Sequence, residues 1–301
     1  MSRLRRQPPT FANTVDQLES RQISEGFKEH LIQVQGINVF VRTLGDPSAK
    51  PVVCWHGFAR NGSDFLTLAR ALSPQFFVIC PDTPGRGHSD WVSPDRYNFS
   101  FYQSLTVDLL KKFDVTTRVH WVGTSMGGVL GMMMAASPHT RRWIDRLVIN
   151  DIGPEVPVDA IERIRTYASE QQSFANFGEA RAYFQTIYEP FGYLSEDEWH
   201  LLIVHSVRRL NDGTLTEHYD PNILEQFGGA QNPQLAWAMF SSITCRMLVI
   251  RGVESDILPE AIADKMVKSA LRVERLDISN TGHAPFLNTT EQISTICDFL
   301  E

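Results

Sequence analysis

The sequence has few cysteines, and their placement excludes a disulfide-built protein. Four cysteines are spread over 301 residues, at Cys54, Cys80, Cys245 and Cys297. Such scattered thiols cannot form the framework of a small secreted domain. Three of them lie in or beside apolar runs that predict buried strands, which is typical of free thiols in a reducing compartment. We therefore expect a cytoplasmic protein.

The sequence also has no excess of basic charge and no long hydrophobic run. Acidic residues number 35 against 28 lysines and arginines, which gives a net charge of −7. No basic stripe follows the arginines near the N-terminus (Arg3, Arg5 and Arg6), so we expect neither a nucleic-acid nor a membrane partner. Those arginines precede no apolar run, and no later segment is apolar over the length of a membrane span, so we expect no signal peptide and no transmembrane helix.

Short apolar runs alternate with helical patterns in two parts of the chain. A hairpin is predicted to turn at Gly36. The predicted strands after it cover 51–55, 76–80, 119–122, 146–150, 246–252 and 272–276. Helices are predicted between most of these strands, and a last helix follows the final one. This alternation predicts an α/β fold with a mostly parallel sheet and helices on both faces.

The alternation stops between residues 154 and 242. This stretch carries amphipathic helical patterns over 158–171 and 177–188, and a capping box at Ser195 and Glu198 opens a helix to about 210. We find no strand pattern there. Residues 1–28 are polar and weakly patterned. The predicted organisation is an N-terminal arm (1–28), a core (29–153 and 243–301) and an inserted helical cap (154–242).

A Gly-x-Ser-x-Gly motif at 123–127 joins a predicted strand to a predicted helix. Gly123 and Gly127 permit a tight turn that exposes the Ser125 hydroxyl at the end of the strand. The helix that follows directs its positive dipole end toward negative charge developing at that hydroxyl. Ser125 is therefore predicted to be a nucleophile.

A serine nucleophile needs a histidine base and an acid that orients the histidine. His283 and Asp256 each follow a predicted strand, and the carboxyl ends of parallel strands meet at one edge of the sheet. The order Ser, Asp, His also fits a serine hydrolase. Glu254 and Asp151 are alternatives for the acid. We favour Asp256, because Asp151 directly precedes the exit into the insertion and is expected to fix that exit.

The negative oxygen formed when an ester is attacked needs two N–H donors. Met126, the residue after the nucleophile, is predicted to supply one of them. The loop after the strand 51–55 is predicted to supply the other, because Gly57 lets the backbone turn and the N–H of Phe58 follows. Phe58 and Met126 are therefore the predicted oxyanion-hole residues.

In combination, these motifs resemble the α/β-hydrolase-fold superfamily, of the single-chain esterase and lipase-like type with a helical cap. The resemblance is carried by His56-Gly57-Phe58, by the Gly-Thr-Ser-Met-Gly-Gly run at 123–128, by Gly-x-x-Ser-Asp at 252–256 and by Gly-His-Ala-Pro at 282–285. It implies the same site residues and a cap over 154–242, and it implies that the loop 84–89 shapes the floor of the site. Serine in place of aspartate as the nucleophile argues against a dehalogenase or an epoxide hydrolase.

The function predicted from these residues is hydrolysis of a carboxylic ester through an acyl-enzyme on Ser125. The expected substrate is a small to medium, largely apolar ester or lactone, short hydroxyacid oligomers included. Carbon–carbon hydrolases of ring-cleavage products, cofactor-free perhydrolases, acyltransferases and non-catalytic ligand-binding proteins share the fold and remain alternatives. We expect no metal and no organic cofactor, because the sequence has no metal-ligand spacing and no dinucleotide fingerprint.

Overall fold

The computed structural model describes residues 26–228 and 232–301. The arm expected over residues 1–28 lies outside the described residues except for its last three, and of these Lys28 already begins the first strand. None of the helices in the described ranges combines the length and the apolarity that crossing a membrane requires.

Strands and helices alternate along the described chain. The strands are β1 (Lys28–Val34), β2 (Ile37–Leu44), β3 (Lys50–Trp55), β4 (Phe76–Pro81), β5 (Val119–Thr124), β6 (Ile144–Asn150), β7 (Ser173–Phe174), β8 (Val207–Arg209), β9 (Leu215–Glu217), β10 (Arg246–Gly252) and β11 (Val273–Ile278). The α-helices are α1 (Leu66–Leu72), α2 (Phe99–Lys112), α3 (Met126–Ala136), α4 (Val158–Ser169), α5 (Phe177–Tyr188), α6 (Glu196–Ser206), α7 (Pro233–Ser241), α8 (Glu260–Ser269) and α9 (Thr290–Leu300).

Eight strands of the described ranges form one sheet in the order β1-β2-β4-β3-β5-β6-β10-β11. The pairs β1–β2 and β2–β4 are antiparallel, and every later pair is parallel. The hairpin between β1 and β2 turns at Gln35 and Gly36, both at positive φ, as a two-residue loop that follows the twist of the strands requires. The prediction of a mostly parallel α/β sheet is confirmed.

Helices cover both faces of this sheet because successive side chains of each strand point to opposite sides. In β3, Val53 belongs to a buried cluster that includes Leu105 of α2 and Leu130 of α3. Its neighbour Val52 belongs to a second buried cluster, which includes Leu68 of α1 and side chains of α9. The core therefore consists of two layers, one on each face of the sheet. The carboxyl ends of the strands lie at the edge of both layers and are available for a site.

The segment 154–242 is an insertion between β6 and β10. Helices α4 to α6 fall where helical patterns predict them, but α6 ends at Ser206 and not near 210. The sequence analysis gave no bounds for a helix at α7. The chain then forms a small sheet in the order β7-β9-β8, which the sequence did not predict. Strands of two and three residues are too short to show an alternation of apolar and polar side chains. The strand that begins at Val207 is defined by its pairing with the strand that ends at Glu217. The insertion has its own apolar cluster, with Phe174, Phe184 and Ile203 among its buried members.

Candidate active site

Ser125 occupies a sharp turn between β5 and α3. Its backbone lies at φ 50° and ψ −112°, and its N–H donates to the carbonyl of Asn150, 2.9 Å away at the end of β6. A Cβ on Gly123 would lie 2.2 Å from the Gly127 carbonyl oxygen, and a Cβ on Gly127 would lie 2.0 Å from that of Trp55. The two glycines of the motif are therefore required by close backbone approach on both sides of the serine.

His283 bridges Ser125 and a carboxylate. Its Nε2 lies 3.0 Å from the Ser125 Oγ, and its Nδ1 lies 2.9 Å from Oδ2 of Asp151. The Asp151 side chain is fully buried, and that of His283 is 11% exposed. Because a carboxylate only accepts, Nδ1 carries the proton and Nε2 is left to accept from the serine hydroxyl. This is the arrangement that activates a serine nucleophile.

Two cavities meet at Ser125. One has a volume of about 430 Å³ and is lined mainly by apolar side chains of α3, α7 and the stretch 152–164, such as Val129, Met132, Ala236 and Met239. The other has a volume of about 280 Å³ and contains charged side chains beside aromatic ones, Arg60, Asp64 and Arg163 beside Tyr167, Tyr188 and Phe191. Phe58 and Ile164 line both cavities. A substrate with one apolar and one polar side could therefore place the bond between them at the serine.

The insertion contacts the histidine loop directly. The carbonyl of Pro190 accepts the N–H of Gly282 at 2.5 Å. The Phe191 ring packs edge-on against the His283 imidazole, with 6.0 Å between the ring centroids. Segments from the insertion thus bound the cavity on the side of the base.

Residues 52–294 match the sequence model of the alpha/beta hydrolase family. The chain belongs to this family. A 3-hydroxybutyrate-oligomer hydrolase from Cupriavidus necator is 35% identical over 266 residues, which cover 85% of this chain and 90% of that protein. A serine hydrolase-like protein from Danio rerio is 26% identical over 280 residues, 85% of this chain and 83% of the relative. The crystal structure of an alpha/beta hydrolase from Novosphingobium aromaticivorans DSM 12444 superimposes with a TM-score of 0.82 and 32% identity, covering 91% of this chain and 98% of that one.

In this α/β hydrolase the carboxylate that contacts His283 is not the one that the sequence analysis favoured. Asp256 is exposed and forms a two-pronged ion pair with Arg163, with N···O distances of 2.8 and 2.9 Å, and it does not contact His283. The preceding residue explains this outcome. Ser255 turns inward and donates its hydroxyl to Oδ2 of Asp151 at 2.5 Å, and the side chain of the next residue is left on the surface. The prediction that Asp256 orients the histidine is wrong in position, and Asp151 takes that place.

Asp151 is held by several donors at the end of β6. It adopts φ 57°, and its N–H donates to the Ile250 carbonyl at 2.8 Å. Its Oδ1 accepts the N–H of Gly252 at 2.8 Å, while Oδ2 accepts from Ser255 and His283. The sequence analysis expected Asp151 to fix the exit into the insertion, whereas its carboxylate binds the N–H of Gly252 at the end of β10, the Ser255 hydroxyl and the imidazole. Glu254, the other alternative, is exposed.

The two predicted oxyanion donors flank the serine. Met126 is the first residue of α3, and Phe58 lies in the loop after β3. In the described part of the chain, neither backbone N–H is taken up by another hydrogen bond. The loop is fixed by His56, whose Nδ1–H donates to the Gly57 carbonyl at 2.7 Å and whose Nε2 accepts the N–H of Thr83 at 2.8 Å. Burial lowers the pKa of His56 to about 3, so it holds the loop as a neutral imidazole.

A buried arginine supports the same loop, which the sequence analysis did not anticipate. The Nε of Arg86 donates to the Phe58 carbonyl at 2.9 Å, and its Nη1 donates to the Pro84 carbonyl and the Tyr102 hydroxyl. Its Nη2 donates to Oε1 of Gln226 in the insertion at 3.1 Å. Arg86 therefore ties the oxyanion loop, the floor loop 84–89 and the insertion together.

Asn150 is a second supporting residue that no sequence motif marks. Its side-chain Nδ2 donates to the Pro285 carbonyl at 2.8 Å and to the Thr124 hydroxyl at 3.0 Å. It thereby joins the histidine loop to the nucleophile turn. Within the described ranges, no group of three or more His, Cys, Asp or Glu side chains is placed to hold a metal ion.

Proposed function

We propose that this α/β hydrolase cleaves carboxylic esters through an acyl-enzyme on Ser125. The observation that carries the proposal is the continuous hydrogen-bond chain from Ser125 through His283 to Asp151, at a point where two cavities meet. In this proposal Ser125 is the nucleophile, His283 the base and Asp151 the acid, and Phe58 and Met126 supply the oxyanion hole.

The proposed reaction proceeds in two halves. The Ser125 Oγ attacks the ester carbonyl while His283 Nε2 takes its proton, and the N–H groups of Phe58 and Met126 receive the negative oxygen. When the bond to the leaving oxygen breaks, His283 returns the proton to the alcohol. A water molecule then attacks the acyl-enzyme and gives a proton to His283. His283 passes a proton to the Ser125 oxygen as the acyl bond breaks, which releases the carboxylic acid product and restores the serine.

We infer that the insertion, 154–242, acts as a cap that selects the substrate. Its side chains Ile164, Tyr188 and Phe191 line the cavity around Ser125, which supports this role. The apolar cavity suits an alkyl or aryl acyl group. The smaller cavity holds Arg60 and Arg163, which pair with Asp64 and Asp256, and this polar lining suits a polar leaving alcohol.

Short oligomers of a 3-hydroxyacid are the first substrate class to test within small to medium esters. Each unit of such an oligomer has an apolar alkyl part and an ester, and its free end is a carboxylate. That division matches the two cavities, and the name of the relative from Cupriavidus necator supports the same class.

The test is turnover of p-nitrophenyl esters of graded chain length and of linear 3-hydroxybutyrate dimer and trimer. We expect hydrolysis of both sets, loss of several orders of magnitude in kcat for Ser125→Ala, and unchanged turnover for Ser169→Ala, which alters an exposed serine of α4. A fluorophosphonate probe should label the wild type at Ser125 and leave Ser125→Ala unlabelled. Labelling of another residue contradicts the mechanism. Turnover of a ring-cleavage diketone with no ester turnover contradicts the reaction class.

A further inference from the structure

Arginines gather at the sheet edge opposite Ser125. Arg118 directly precedes β5, and Arg142 lies in the short turn Arg141–Trp143 that leads into β6. Arg246 is the first residue of β10, and Arg272 directly precedes β11. These four strands are neighbours in the sheet, so their amino ends bring the side chains together from distant parts of the chain.

The arginines surround one cavity of about 590 Å³. Six of its twelve lining residues are arginines, namely Arg118, Arg141, Arg142, Arg146, Arg246 and Arg272. Among the described residues, the lining contains one carboxylate, Asp145, which already pairs with Lys50 at 2.8 Å. In a chain of net charge −7, this is a local concentration of positive charge.

Among the described residues, three of the six arginines have an internal partner, and one of these is Arg142, which lies over the Trp143 ring at 5.8 Å from its centroid. Arg246 pairs with Glu274, and Arg146 donates to the Phe299 carbonyl. Within residues 26–228 and 232–301, Arg118, Arg141, Arg142 and Arg272 form no ion pair with a carboxylate. Five of the six arginines are exposed, so solvent screens their mutual repulsion and their guanidinium groups are accessible to an anion in the cavity.

Helix dipoles do not account for the cluster. A cation near a helix C-terminus interacts favourably with the helix dipole, and the effect fades within the last turn. Helix α2 already ends in Lys111 and Lys112. Arg141 lies beyond the end of α3 at Ala136, and two residues separate Arg272 from the end of α8 at Ser269. The arginine side chains therefore line a cavity and do not cap helix C-termini.

We propose that this arginine cavity binds the diphosphate or triphosphate group of a small molecule. The planar fork of arginine matches phosphate oxygens in pairs. The volume falls within the range of small-molecule sites, roughly 300–1,000 Å³. A nucleic acid would instead need a basic stripe along the surface, whereas these arginines converge on one cavity.

An adjoining cavity gives the ligand room beyond its phosphates. It has a volume of about 500 Å³, shares Arg118 and Arg142 with the first, and is lined by Trp143. The Trp143 indole Nε1 is buried and has no hydrogen-bond partner among the described residues. Two sources of the same phosphate chemistry fit this geometry: an inorganic polyphosphate, and a nucleotide whose base lies against Trp143.

The arginine cavity is separate from the catalytic site. The strands between them are six or seven residues long, which places the two edges roughly 20 Å apart at about 3.3 Å per residue. The proposal therefore does not depend on the proposed ester hydrolysis.

Binding of inorganic triphosphate, ATP and inorganic phosphate should be measured by calorimetry at one ionic strength, about 0.15 M. We expect triphosphate to bind at least tenfold more tightly than phosphate. The double variant Arg118→Ser/Arg272→Ser should weaken triphosphate binding at least tenfold and leave ester turnover unchanged. The matched control is Arg165→Ser/Arg209→Ser, which removes two exposed arginines of the insertion and should bind as the wild type does.

The remaining arms identify the source and can overturn the proposal. ATP binding more tightly than triphosphate, with the gain lost in Trp143→Ala, indicates a nucleotide; equal affinities indicate the phosphate chain alone. If Arg118→Ser/Arg272→Ser fails to fold, Arg118→Lys/Arg272→Lys takes its place. This variant keeps the positive charge but loses the planar guanidinium fork, and it should still weaken triphosphate binding. Equal affinity of triphosphate for the wild type and the folded arginine variants overturns the proposal. The proposal is also overturned if triphosphate binds no more tightly than phosphate, or if a single-stranded oligonucleotide binds more tightly than ATP.

Discussion

Asp151 and His283 are in contact although β10 lies between the two strands that they follow. Oδ2 of Asp151 is 2.9 Å from Nδ1 of His283, yet β6 and β11 have β10 between them in the sheet. The two loops meet over Gly252, the last residue of β10, where an added Cβ would lie 2.3 Å from the Gly282 carbonyl oxygen. The absence of a side chain at Gly252 lets the histidine loop cross to the carboxylate.

The first prediction separates the two aspartates. Asp151→Asn should lower kcat by up to about 10⁴, because an amide favours the wrong tautomer of His283. Asparagine tolerates the positive φ of this position, so the fold should be retained. Asp256→Asn removes an exposed ion pair with Arg163 and should change stability by less than about 1 kcal/mol and kcat little. Ester turnover and thermal unfolding of both variants check this, and the reverse pattern would return the acid to Asp256.

The second prediction concerns the crossing over Gly252. Gly252→Ala should displace the histidine loop and reduce kcat at least tenfold, with a stability cost of about 1–3 kcal/mol from overpacking. Gly178→Ala is the control, because that glycine is exposed on α5 and an added Cβ would meet only the side-chain oxygen of Asn176. Turnover and urea unfolding should be measured for both. Wild-type kcat in Gly252→Ala would mean that the loop does not need this close approach.

The third prediction tests the apolar cavity as the acyl site. Ala236 on α7 lines that cavity, so Ala236→Phe should fill part of it and shift the preferred p-nitrophenyl ester to a shorter chain. Ala238 lies on the same helix but is exposed, so Ala238→Phe should leave the preference unchanged. Comparing kcat/KM over the ester series checks the assignment. An unchanged chain-length preference in Ala236→Phe would place the acyl group outside this cavity.

The fourth prediction is a loss of stability in mild acid. Burial lowers the pKa of His218 from 6.5 to about 3, with the nearby charge of Arg208 acting in the same direction. Between these values the unfolded chain binds one more proton than the folded chain. This histidine's contribution is therefore present above about pH 6.5 and falls with decreasing pH, by up to about 1.4 kcal/mol per pH unit.

Urea unfolding from pH 7 to pH 5 measures this dependence. His218→Leu should show a shallower decline of unfolding free energy with falling pH than the wild type, whatever its stability at pH 7. His139→Gln changes an exposed histidine and should keep the wild-type slope. Equal slopes in all three proteins would assign the acid sensitivity to other groups.

The sequence determined the fold class and the turn at Ser125 because both are set by local patterns. Apolar runs of strand length and helical periodicity define the elements, and Gly123 and Gly127 are needed wherever backbone comes that close to the serine. His283 could be singled out because it follows a strand in a short glycine-containing loop. The short strands of the insertion could not be predicted from the sequence, because they are defined by their pairing and not by a local residue pattern.

Only the tertiary structure decided which carboxylate reaches His283. Asp151 and Asp256 both follow strands, and the choice depends on the direction in which the loop after β10 turns. Ser255 sets that direction by bonding to Asp151, which follows the neighbouring strand β6, and no local pattern encodes this interaction. The arginine cavity arises in the same way, because it collects side chains from positions 118 to 272 that become neighbours only when four parallel strands align their amino ends. Local sequence fixes conformation within an element, whereas contacts between elements exist only after the chain has folded.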